Sequence, residues 1–405
     1  MLAALKRAKP WKAPGQDGIP AGFLKACGQP LARRLAVLIQ ASLELEWFPS
    51  RFRDAIVVVL PKQGKTPQQK LVASGWRPIS LLNTVGKVFE TVVSSRITAA
   101  AEYHKLLPDE QMGNRANRST MLAVQVLIEA VRSTWARKGV ASLLQLDLKG
   151  AFDSVSHNHL LHTLRQLGYP PRVVRWVRSY LSARVARLRF DGRESEPLDV
   201  ITGVPQGSPL SPILFILFNS SLYKQLQGRS GLLLVGFADD TNLLSVARTT
   251  SQATLQLAEA WEVCASWARD MGMQFEPAKS ELMHFTRTRA AAQDTLLTGG
   301  VTLRPVQEAR FLGVWLHRKL LWGSHLRELR KKLSLQKSAL TGIAASTWGC
   351  SLERAREVYT KVIRAAIAYG AVAYHSPTEV GGRPKGIARS KEFIQSVAIR
   401  TVIFC

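Results

Sequence analysis

The chain has 405 residues, 46% of them hydrophobic, which is enough for two or three folded domains and argues against intrinsic disorder. Its 55 Lys and Arg residues exceed its 29 Asp and Glu residues, and the formal charge of +26 favours a polyanionic partner such as nucleic acid. No apolar run reaches the roughly 18 residues of a membrane-spanning helix, the basic start excludes a secretory signal, and scattered cysteines without metal-ligand spacing indicate a reducing, intracellular compartment.

The first part of the chain predicts helices around one apolar strand. Residues 9–20 are rich in turn formers, residues 55–60 read as a strand, and a helix is expected to open at residues 75–80. The core face of that helix would include Leu82, Val85, Val88 and Val92. Four basic residues lie in or beside a flexible stretch here, namely Lys62, Lys65, Lys70 and Arg77. They are either solvated surface charges or a clamp for a triphosphate, because Lys and Arg neutralise phosphate oxygens.

A polar loop at residues 108–121 precedes a further helix, for which Ser119 or Thr120 is the expected cap. Arg115 and Arg118 within this loop either contact the backbone of a nucleic-acid template or face solvent. The residue pattern does not decide between these two roles.

Acidic residues at strand ends organise the middle of the chain. Residues 143–146 form an apolar strand that stops on Asp147 and then turns into a helix, which places this carboxylate at a sheet edge. The apolar strands within residues 232–246 read as a β-hairpin with Asp239 and Asp240 at its tip. We therefore expect the three carboxylates to meet, unless the first is only a helix cap and the pair an ordinary polar turn.

Three neighbouring carboxylates require a cation, because like charges a few ångströms apart raise one another's pKa. An all-oxygen site favours Mg²⁺ or Mn²⁺ over a softer metal. A pair of such ions about 3.5–4 Å apart stabilises both the attacking and the leaving oxygen of a phosphoryl displacement. The sequence thus predicts a site for two divalent cations and phosphoryl-transfer chemistry.

Two features near this predicted site suit a nucleotide pocket. Phe152 follows Asp147 at the start of the next helix, where its ring is either a core residue or the floor of a sugar pocket. Residues 203–212 set Gln206 among glycines and prolines just before an apolar helix through residues 213–222. These glycines and prolines would allow the backbone to come close to a nucleotide. A simple strand-to-helix turn is the alternative.

The last part of the chain predicts short strands followed by basic helices. After a helix through residues 255–267, residues 282–285 and 310–316 each read as one strand. Residues 318–364 have helical spacing and an excess of basic residues, which suits a helical domain lying on a phosphate backbone. The contacts expected there include Arg330, Lys331 and Lys332. A charged helix surface without a partner is the alternative.

Several short segments between residues 9 and 316 follow one another in an order that is specific to one protein family. They are Lys-Ala-Pro-Gly-Gln-Asp-Gly-Ile-Pro, Leu-Pro-Lys, Trp-Arg-Pro-Ile-Ser-Leu-Leu, Asn-Arg-Ser-Thr, Asp-Leu-Lys-Gly-Ala-Phe-Asp, Gly-Val-Pro-Gln-Gly-Ser-Pro-Leu-Ser-Pro, Phe-Ala-Asp-Asp and Phe-Leu-Gly-Val. In this order they resemble the reverse transcriptases of non-LTR (LINE-type) retrotransposons. Phe237 replaces the Tyr of the commoner Tyr-Ala-Asp-Asp form, which is a mild departure.

The resemblance implies an α+β chain with the right-hand polymerase fold, in which fingers, a palm on an antiparallel sheet and a helical thumb surround the active site. Residues 1–140 would form an N-terminal extension and the fingers. Residues 141–316 would form the palm, with a segment near residues 160–200 returning between fingers and palm. Residues 317–405 would form the thumb and a truncated C-terminal segment.

The resemblance also implies roles for individual residues. Asp147, Asp239 and the backbone carbonyl of Leu148 would hold two Mg²⁺ or Mn²⁺ ions, with Asp240 a required acidic ligand or neighbour in the same site. Phe152 would be the steric gate against a ribose 2′-hydroxyl. The remaining positions are Lys62 and Arg77 toward the triphosphate, Gln206 in the nucleotide pocket, Lys279 as proton donor to the leaving pyrophosphate, and Phe311, Leu312 and Gly313 as the primer grip.

The implied reaction is RNA-directed DNA synthesis, in which a primer 3′-hydroxyl attacks an incoming dNTP on an RNA template. A group II intron-like or other cellular reverse transcriptase is an alternative of the same class. A decayed fragment that binds nucleic acid without catalysis is an alternative of another class. An RNA-dependent RNA polymerase is disfavoured, because Phe152 would obstruct a ribonucleotide. The family also implies a nuclear location, while the oligomeric state, the template RNA and the target site do not follow from the sequence.

The chain stops inside an apolar segment at residues 402–405, which predicts truncation of a longer polypeptide. Full-length members of the resembled family also carry an endonuclease and a cysteine-rich or RNase H region. The motifs of those regions are not evident between residues 1 and 405. Copying of a template is therefore expected of this chain, and integration by this chain alone is not.

Overall fold

A computed structural model describes residues 1–62, 66–288, 292–344 and 348–374. Lys65 and residues 375–405, which enter the predictions above, lie outside the described residues. The helices of the described part are α1 (Leu2–Arg7), α2 (Ala21–Ala26), α3 (Gly28–Glu44), α4 (Thr84–Tyr103), α5 (Thr120–Ala136), α6 (His157–Gln166), α7 (Pro171–Leu181), α8 (Ser211–Leu226), α9 (Thr250–Met271), α10 (Gly323–Thr341), α11 (Leu352–Val358), α12 (Ala365–Ala368) and α13 (Ala371–Tyr374). Its strands are β1 (Ala55–Pro61), β2 (Trp76–Leu82), β3 (Val140–Leu146), β4 (Arg184–Phe190), β5 (Arg193–Glu194), β6 (Leu198–Val200), β7 (Leu232–Phe237), β8 (Asp240–Ala247), β9 (Glu281–Phe285), β10 (Leu296–Thr298), β11 (Val301–Leu303), β12 (Glu308–Phe311) and β13 (Val314–His317).

The first sheet joins two distant parts of the chain. Its strands lie in the order β2-β1-β4-β5, with β6 also paired to β4. Strand β1 runs antiparallel to β2 and parallel to β4. Residues 184–200 thus return to the sheet that residues 55–82 begin.

Strand β2 corrects the sequence prediction. Residues 75–80 are expected to open a helix, but residues 76–80 are part of β2, and α4 begins only at Thr84. Pro78 is compatible with this strand because β2 lies at the sheet edge, where one side of the strand needs no ladder partner. Asn83 then caps α4 by accepting the Gly86 N–H at 3.0 Å, so Leu82 ends the strand and does not lie on the helix.

The second sheet confirms the predicted strands in the middle of the chain. Its four strands are antiparallel in the order β7-β8-β3-β9, and Leu146 of β3 pairs with Thr241 of β8. One face packs against α9 through Leu144 and Leu243, and the other packs against α5 through Leu143. Because both faces carry a core, polar side chains of this sheet become accessible mainly at the strand ends.

The predicted helices around this sheet are also confirmed. Ser119 caps α5 by accepting the Leu122 N–H at 3.1 Å. Helix α8 is apolar on all sides because it lies at the centre of the largest hydrophobic core. In the part of the chain that the structure describes, no helix combines the length and the apolarity that crossing a membrane requires.

Residues 310–316 form a hairpin, where the sequence predicts one strand. Strand β12 ends at Phe311 and β13 begins at Val314. Leu312 and Gly313 between them have φ values of 46° and 85°, a pair of left-handed residues that folds the chain back in a tight turn. A Leu seldom adopts this conformation, so the apolar run gives no sign of the turn.

A fully buried carboxyl group ties α4 to the loop after β6. Glu90 of α4 accepts the Ser208 hydroxyl, which in turn accepts the Tyr180 hydroxyl at 2.9 Å. Arg184 donates to the carbonyls of Tyr180 and Arg53 at 2.7 and 3.1 Å. Burial raises the pKa of Glu90 to about 7, although the positive charge of Arg184 opposes this effect.

The buried Glu90 predicts a pH dependence of stability. Its pKa rises from an ordinary value of 4.5 to about 7 on folding, so the stability that the protonated group contributes is lost as the pH rises through 7. The free energy of unfolding of the Glu90→Gln variant, relative to that of the wild type, should therefore increase between pH 5 and pH 8. By the size of the shift, the gain is at most about 3 kcal/mol. Urea unfolding at both pH values measures it, and parallel pH profiles of the two proteins would contradict it.

Candidate active site

Two strands of the second sheet bring Asp147 and Asp240 to neighbouring positions. Leu146 ends β3 and pairs with Thr241 of β8, so the antiparallel register sets Asp147 opposite Asp240. Both carboxylates line one open cavity of about 290 Å³ at the strand ends. The other polar residues of this cavity are Gln145, Asn242, Lys279, Glu281 and Arg310.

Asp239 lies in the turn between β7 and β8 and interacts electrostatically with the other two carboxylates. Desolvation raises the pKa of Asp239, the charge of Asp147 raises it further, and Arg77 lowers it. Desolvation, followed by the charges of Asp239 and Asp147, raises the pKa of Asp240 to about 6. Among the described residues, no three His, Cys, Asp or Glu side chains converge as a preformed metal cluster. The three aspartates are therefore close enough to interact electrostatically, but the structure does not bring their carboxylates together at a single point in the way that the sequence predicts.

The donor set at these strand ends fits divalent cations. Carboxylate oxygens that raise one another's pKa are stabilised by added positive charge. The backbone beside Asp147 is held as well, because its carbonyl accepts the Glu276 N–H at 2.9 Å and the Lys149 N–H donates to the Gln274 carbonyl at 2.8 Å. These two bonds form a short antiparallel bridge on either side of Leu148. The Leu148 carbonyl therefore points to the opposite side of its strand, away from this bridge.

Lys279 contributes a positive charge to the same cavity. Its Nζ lies 3.4 Å from an Asp147 carboxylate oxygen and also pairs with Glu276. Desolvation acts to lower the pKa of Lys279, but the contacts with Glu276 and Asp147 outweigh it and raise the pKa. The ammonium group therefore stays protonated beside Asp147. Glu276 was not among the predicted site residues, although its spacing of three residues from Lys279 is a signal for such a pair.

Phe152 lies in a turn and not at the start of a helix, which corrects the sequence prediction. Helix α6 begins at His157, where Ser156 supplies the cap, so Phe152 belongs to the preceding turn. Its ring is half-buried and stacks on Phe215, with ring centroids 4.9 Å apart and an interplanar angle of 24°. Its carbonyl accepts the Val204 N–H at 2.7 Å. The ring is thus packed against the core, and the backbone of the same residue is bound to the loop that carries Gln206.

Gln206 is held in place by two contacts. Its Nε2 donates to the Asp153 carboxylate at 2.9 Å, and its carbonyl accepts the Ser80 N–H of β2 at 2.7 Å. Gly207 is required next to it, because its φ is 128° and a Cβ would lie 2.5 Å from the Ser80 carbonyl oxygen. Asp153 was not predicted as a site residue. Its position in the segment Asp-Leu-Lys-Gly-Ala-Phe-Asp is the only signal that the sequence offered.

These residues fall within a region of recognisable sequence similarity. Residues 60–316 match the family described as "Reverse transcriptase (RNA-dependent DNA polymerase)". The chain belongs to the reverse transcriptase family. Membership in this family, with the mixed helices and sheets observed, confirms the predicted α+β right-hand polymerase fold. Among solved structures, apo telomerase from Candida Tropicalis aligns with a TM-score of 0.49 at 12% identity, over 93% of this chain and 66% of that chain.

Several curated relatives of this chain come from mobile elements of Drosophila melanogaster. The RNA-directed DNA polymerase from mobile element jockey is 26% identical over 90% of this chain and 40% of its own length. The probable RNA-directed DNA polymerases from transposon BS and transposon X-element are 27% and 28% identical, over 91% and 89% of this chain and 41% and 39% of their own lengths. The predicted relation to non-LTR retrotransposon reverse transcriptases is confirmed. The chain spans about two fifths of the length of these relatives.

The two basic residues predicted to approach a triphosphate differ in their relation to Asp239 and Asp240. Arg77 is exposed on β2, and its charge lowers the pKa of Asp239, so it lies within electrostatic reach of the turn. Lys62 follows β1, and its backbone N–H donates to the Gly75 carbonyl at 2.9 Å. Lys62 is not among the groups that shift the pKa of Asp239 or Asp240. Arg77 therefore lies near the candidate site, whereas Lys62 lies just after β1, where this strand pairs with the start of β2.

The residues expected to form the primer grip lie at the turn between β12 and β13. Phe311 is 0% exposed and belongs to the core under the second sheet. The Leu312 carbonyl accepts the Tyr369 hydroxyl at 2.5 Å. Gly313 adjoins the same Tyr369 ring, which a Cβ would approach to 3.2 Å. The Phe311 side chain is therefore buried, whereas Leu312 and Gly313 are partly exposed in the turn, and contact with a primer remains a prediction.

Helix α10, which belongs to the predicted thumb, does not line the cavity that holds Asp147 and Asp240. Leu329, Leu333 and Leu340 bury one side of this helix in a separate core with α11 and α12. Arg330, Lys331 and Lys332 lie on its exposed sides, with Lys331 also 2.8 Å from Glu328. Their exposure suits contact with a nucleic-acid backbone, which remains a prediction.

Binding of phosphates by α10 predicts a steep salt dependence of duplex binding. Changing Arg330, Lys331 and Lys332 to Gln should flatten the slope of log K against log salt by about 1 for each phosphate that the helix no longer neutralises. Fluorescence anisotropy with an RNA/DNA duplex between low and moderate salt measures this slope. The matched control changes Arg33, Arg34 and Arg172 to Gln, which lowers the net charge equally at other exposed positions. Equal slopes for both triple variants would place the binding surface elsewhere.

Proposed function

We propose that this chain is an RNA-directed DNA polymerase of a non-LTR retrotransposon, which extends a primer 3′-hydroxyl with dNTPs on an RNA template. The observation that carries the proposal is the placement of Asp147, Asp239 and Asp240 beside Lys279 at the strand ends of the second sheet, in a chain of the reverse transcriptase family. An open cavity lined by Asp147, Asp240 and Lys279 suits nucleotidyl transfer. The net charge of +26 suits a nucleic-acid substrate.

Two divalent cations, Mg²⁺ or Mn²⁺, are part of this proposal. Asp147, Asp239, Asp240 and the carbonyl of Leu148 would hold them, since these oxygens belong to adjoining strand ends. When bound, such ions neutralise charge that develops at the attacking and leaving oxygens. The reverse transcriptase family implies divalent cations in general, and their number and identity are proposed for this chain.

The side chains around the carboxylates would supply the remaining chemistry. Arg77 and Lys62 would neutralise the triphosphate. Lys279, which its neighbours keep protonated, would donate a proton to the leaving pyrophosphate. Gln206 would line the nucleotide pocket, and Phe152 would close the sugar pocket against a 2′-hydroxyl. Catalysis would then depend on positioning and charge neutralisation and would involve no covalent intermediate.

The domain assignment follows the same proposal. We assign residues 1–140 to an N-terminal extension and the fingers, residues 141–316 to the palm, and the helices after residue 317 to the thumb. The first sheet supports a finger domain that also receives residues 184–200. The backbone at Leu312 and Gly313 would contact the primer, and α10 would follow the duplex. A nuclear location is proposed from the family alone.

Primer extension on poly(rA)/oligo(dT) tests the proposed function. The purified chain should incorporate dTTP in the presence of Mg²⁺ or Mn²⁺ and should stop when the cation is chelated. Template–primer binding, measured by anisotropy on the same preparation, shows whether the protein is competent to bind. A folded chain that binds the template–primer and incorporates nothing with either cation would support the non-catalytic alternative.

A further inference from the structure

The turn that carries Asp239 is held by a segment distant in sequence. The Met112 N–H donates to the Gly236 carbonyl at 2.8 Å, and the Gly236 N–H donates to the Glu110 carbonyl at 2.9 Å. Residues 110–112 therefore add a short parallel bridge to the free edge of β7. The sequence predicts only a polar loop here, because the pairing joins residues far apart in the chain.

Gln111 makes the contact with the turn itself. Its Nε2 donates to the Ala238 carbonyl at 3.1 Å, and its Oε1 accepts the Ala238 N–H at 3.0 Å and the Gly113 N–H at 2.8 Å. The side-chain amide thus pairs with both backbone polar groups of Ala238. Gln111 is 1% exposed, so water does not compete for these bonds.

Ala238 needs this support because its backbone is strained. Its φ is 56°, in the left-handed region that residues other than glycine seldom adopt. Gly113 packs against the same residue so closely that a Cβ would lie 2.2 Å from the Ala238 nitrogen. The residue just before Asp239 is therefore fixed both by hydrogen bonds and by close packing.

The support behind Gln111 is itself rigid. The Arg115 side chain is 5% exposed and pairs with Glu102 at 2.7 Å. It also donates to the carbonyls of Pro108 and Gln111 at 2.6 and 3.1 Å. A guanidinium group engaged in this way neither contacts a template nor faces solvent, so both roles that the sequence left open for Arg115 are wrong.

We propose that Gln111 is a positioning residue for the catalytic turn. Its amide holds Ala238 in the left-handed conformation, and this keeps Asp239 and Asp240 in place opposite Asp147. The inference rests on the proposed function, because it assigns catalysis to Asp239 and Asp240. It adds a residue that acts through the backbone and touches neither nucleotide nor cation.

The test replaces Gln111 with Met, which has a similar size and neither hydrogen-bonding group. The rate of single-nucleotide incorporation should fall about 10- to 100-fold, as expected when reacting groups shift by a fraction of an ångström to an ångström. Affinity for the template–primer and the KM for dNTP should stay near the wild-type values. Amide hydrogen exchange of residues 236–241, measured without nucleic acid or cations, should become faster in the variant.

Two further variants sharpen the comparison. Gly113→Ala would bring a Cβ within 2.2 Å of the Ala238 nitrogen and should lower the same rate by displacing the turn. Gln227→Met is the matched control, because Gln227 donates to the Glu110 carboxylate at 3.0 Å on the surface and does not reach the turn. This control should leave both the rate and the exchange of residues 236–241 unchanged.

The outcomes separate positioning from general stability and from failure of the proposed function. If Gln111→Met lowers the melting temperature and loses template–primer binding in proportion to activity, Gln111 is a structural residue and the proposal is overturned. Unchanged exchange and rate overturn it too. A wild-type chain without incorporation refutes the proposed function, whereas faster exchange in Gln111→Met still upholds the positioning of the turn.

Discussion

Replacing Asp147 or Asp239 with Asn should lower nucleotide incorporation at least about 10²–10³-fold, the reduction expected when one preorganised electrostatic group is removed. Asn keeps the size of the side chain and removes the negative charge. Affinity for the template–primer should stay nearly unchanged, because the basic surfaces are untouched. Single-turnover incorporation and anisotropy on the same protein preparations measure the two quantities separately.

Asp270→Asn is the matched control for these variants. Asp270 is an exposed residue in the last turn of α9, so its change lowers the negative charge by the same amount without touching the second sheet. The control enzyme should keep the wild-type rate. If the Asp147→Asn or Asp239→Asn enzyme also keeps that rate, the assignment of the active site is wrong.

Replacing Phe152 with Val should admit ribonucleotides while costing only part of the dNTP rate. The Phe152 ring stacks on Phe215, and the Phe152 backbone carbonyl accepts the Val204 N–H of the loop that carries Gln206, so the residue cannot readily move aside. A rigid ring beneath the sugar rejects a 2′-hydroxyl by overlap, although dNTP and rNTP offer the same base and phosphates. Incorporation of dUTP and UTP, which differ only at the 2′ position, on one template measures the change in selectivity.

The contact with Phe215 also allows a purely structural role for Phe152, which stability measurements separate from the gate. A core residue truncated to Ala would cost about 3–5 kcal/mol and would reduce both activities together. Phe218→Val is the control, because Phe218 is fully buried in the same core. It should lower the melting temperature without changing sugar selectivity. A Phe152→Val enzyme that melts early and keeps the wild-type selectivity would rule out the gate.

The second sheet was predictable because its signals are local. An apolar run that ends at Asp147, or two such runs on either side of Asp239 and Asp240, predict both the strands and the accessible carboxylates from a few neighbouring residues. Strand β9 and helices α8 and α9 follow for the same reason, since each carries its periodicity in one continuous segment. The neighbouring positions of Asp147 and Asp240 then depend on a single register.

The features that were missed depend on partners far away in the chain. Gln111 contacts Ala238 across 127 positions, so nothing in its own segment distinguishes it from a solvated loop residue. The burial of Glu90 depends on other segments in the same way, because its carboxyl group accepts the Ser208 hydroxyl, which is bound in turn by Tyr180. Strand β2 was mistaken for the start of a helix because its stability comes from pairing with β1 and from its place at the sheet edge.

Counting bound Mn²⁺ tests the proposed polymerase centre most directly. The wild-type chain is trapped with a dideoxy-terminated primer on an RNA template and the next dNTP, and bound Mn²⁺ is measured by electron paramagnetic resonance. Because nucleic acid also binds Mn²⁺, the reference is the Asp147→Asn, Asp239→Asn double variant in the same complex. The wild type should hold roughly two more Mn²⁺ ions per chain than the reference. Equal numbers in two complexes that bind template–primer equally well would contradict a cation-binding centre at these aspartates.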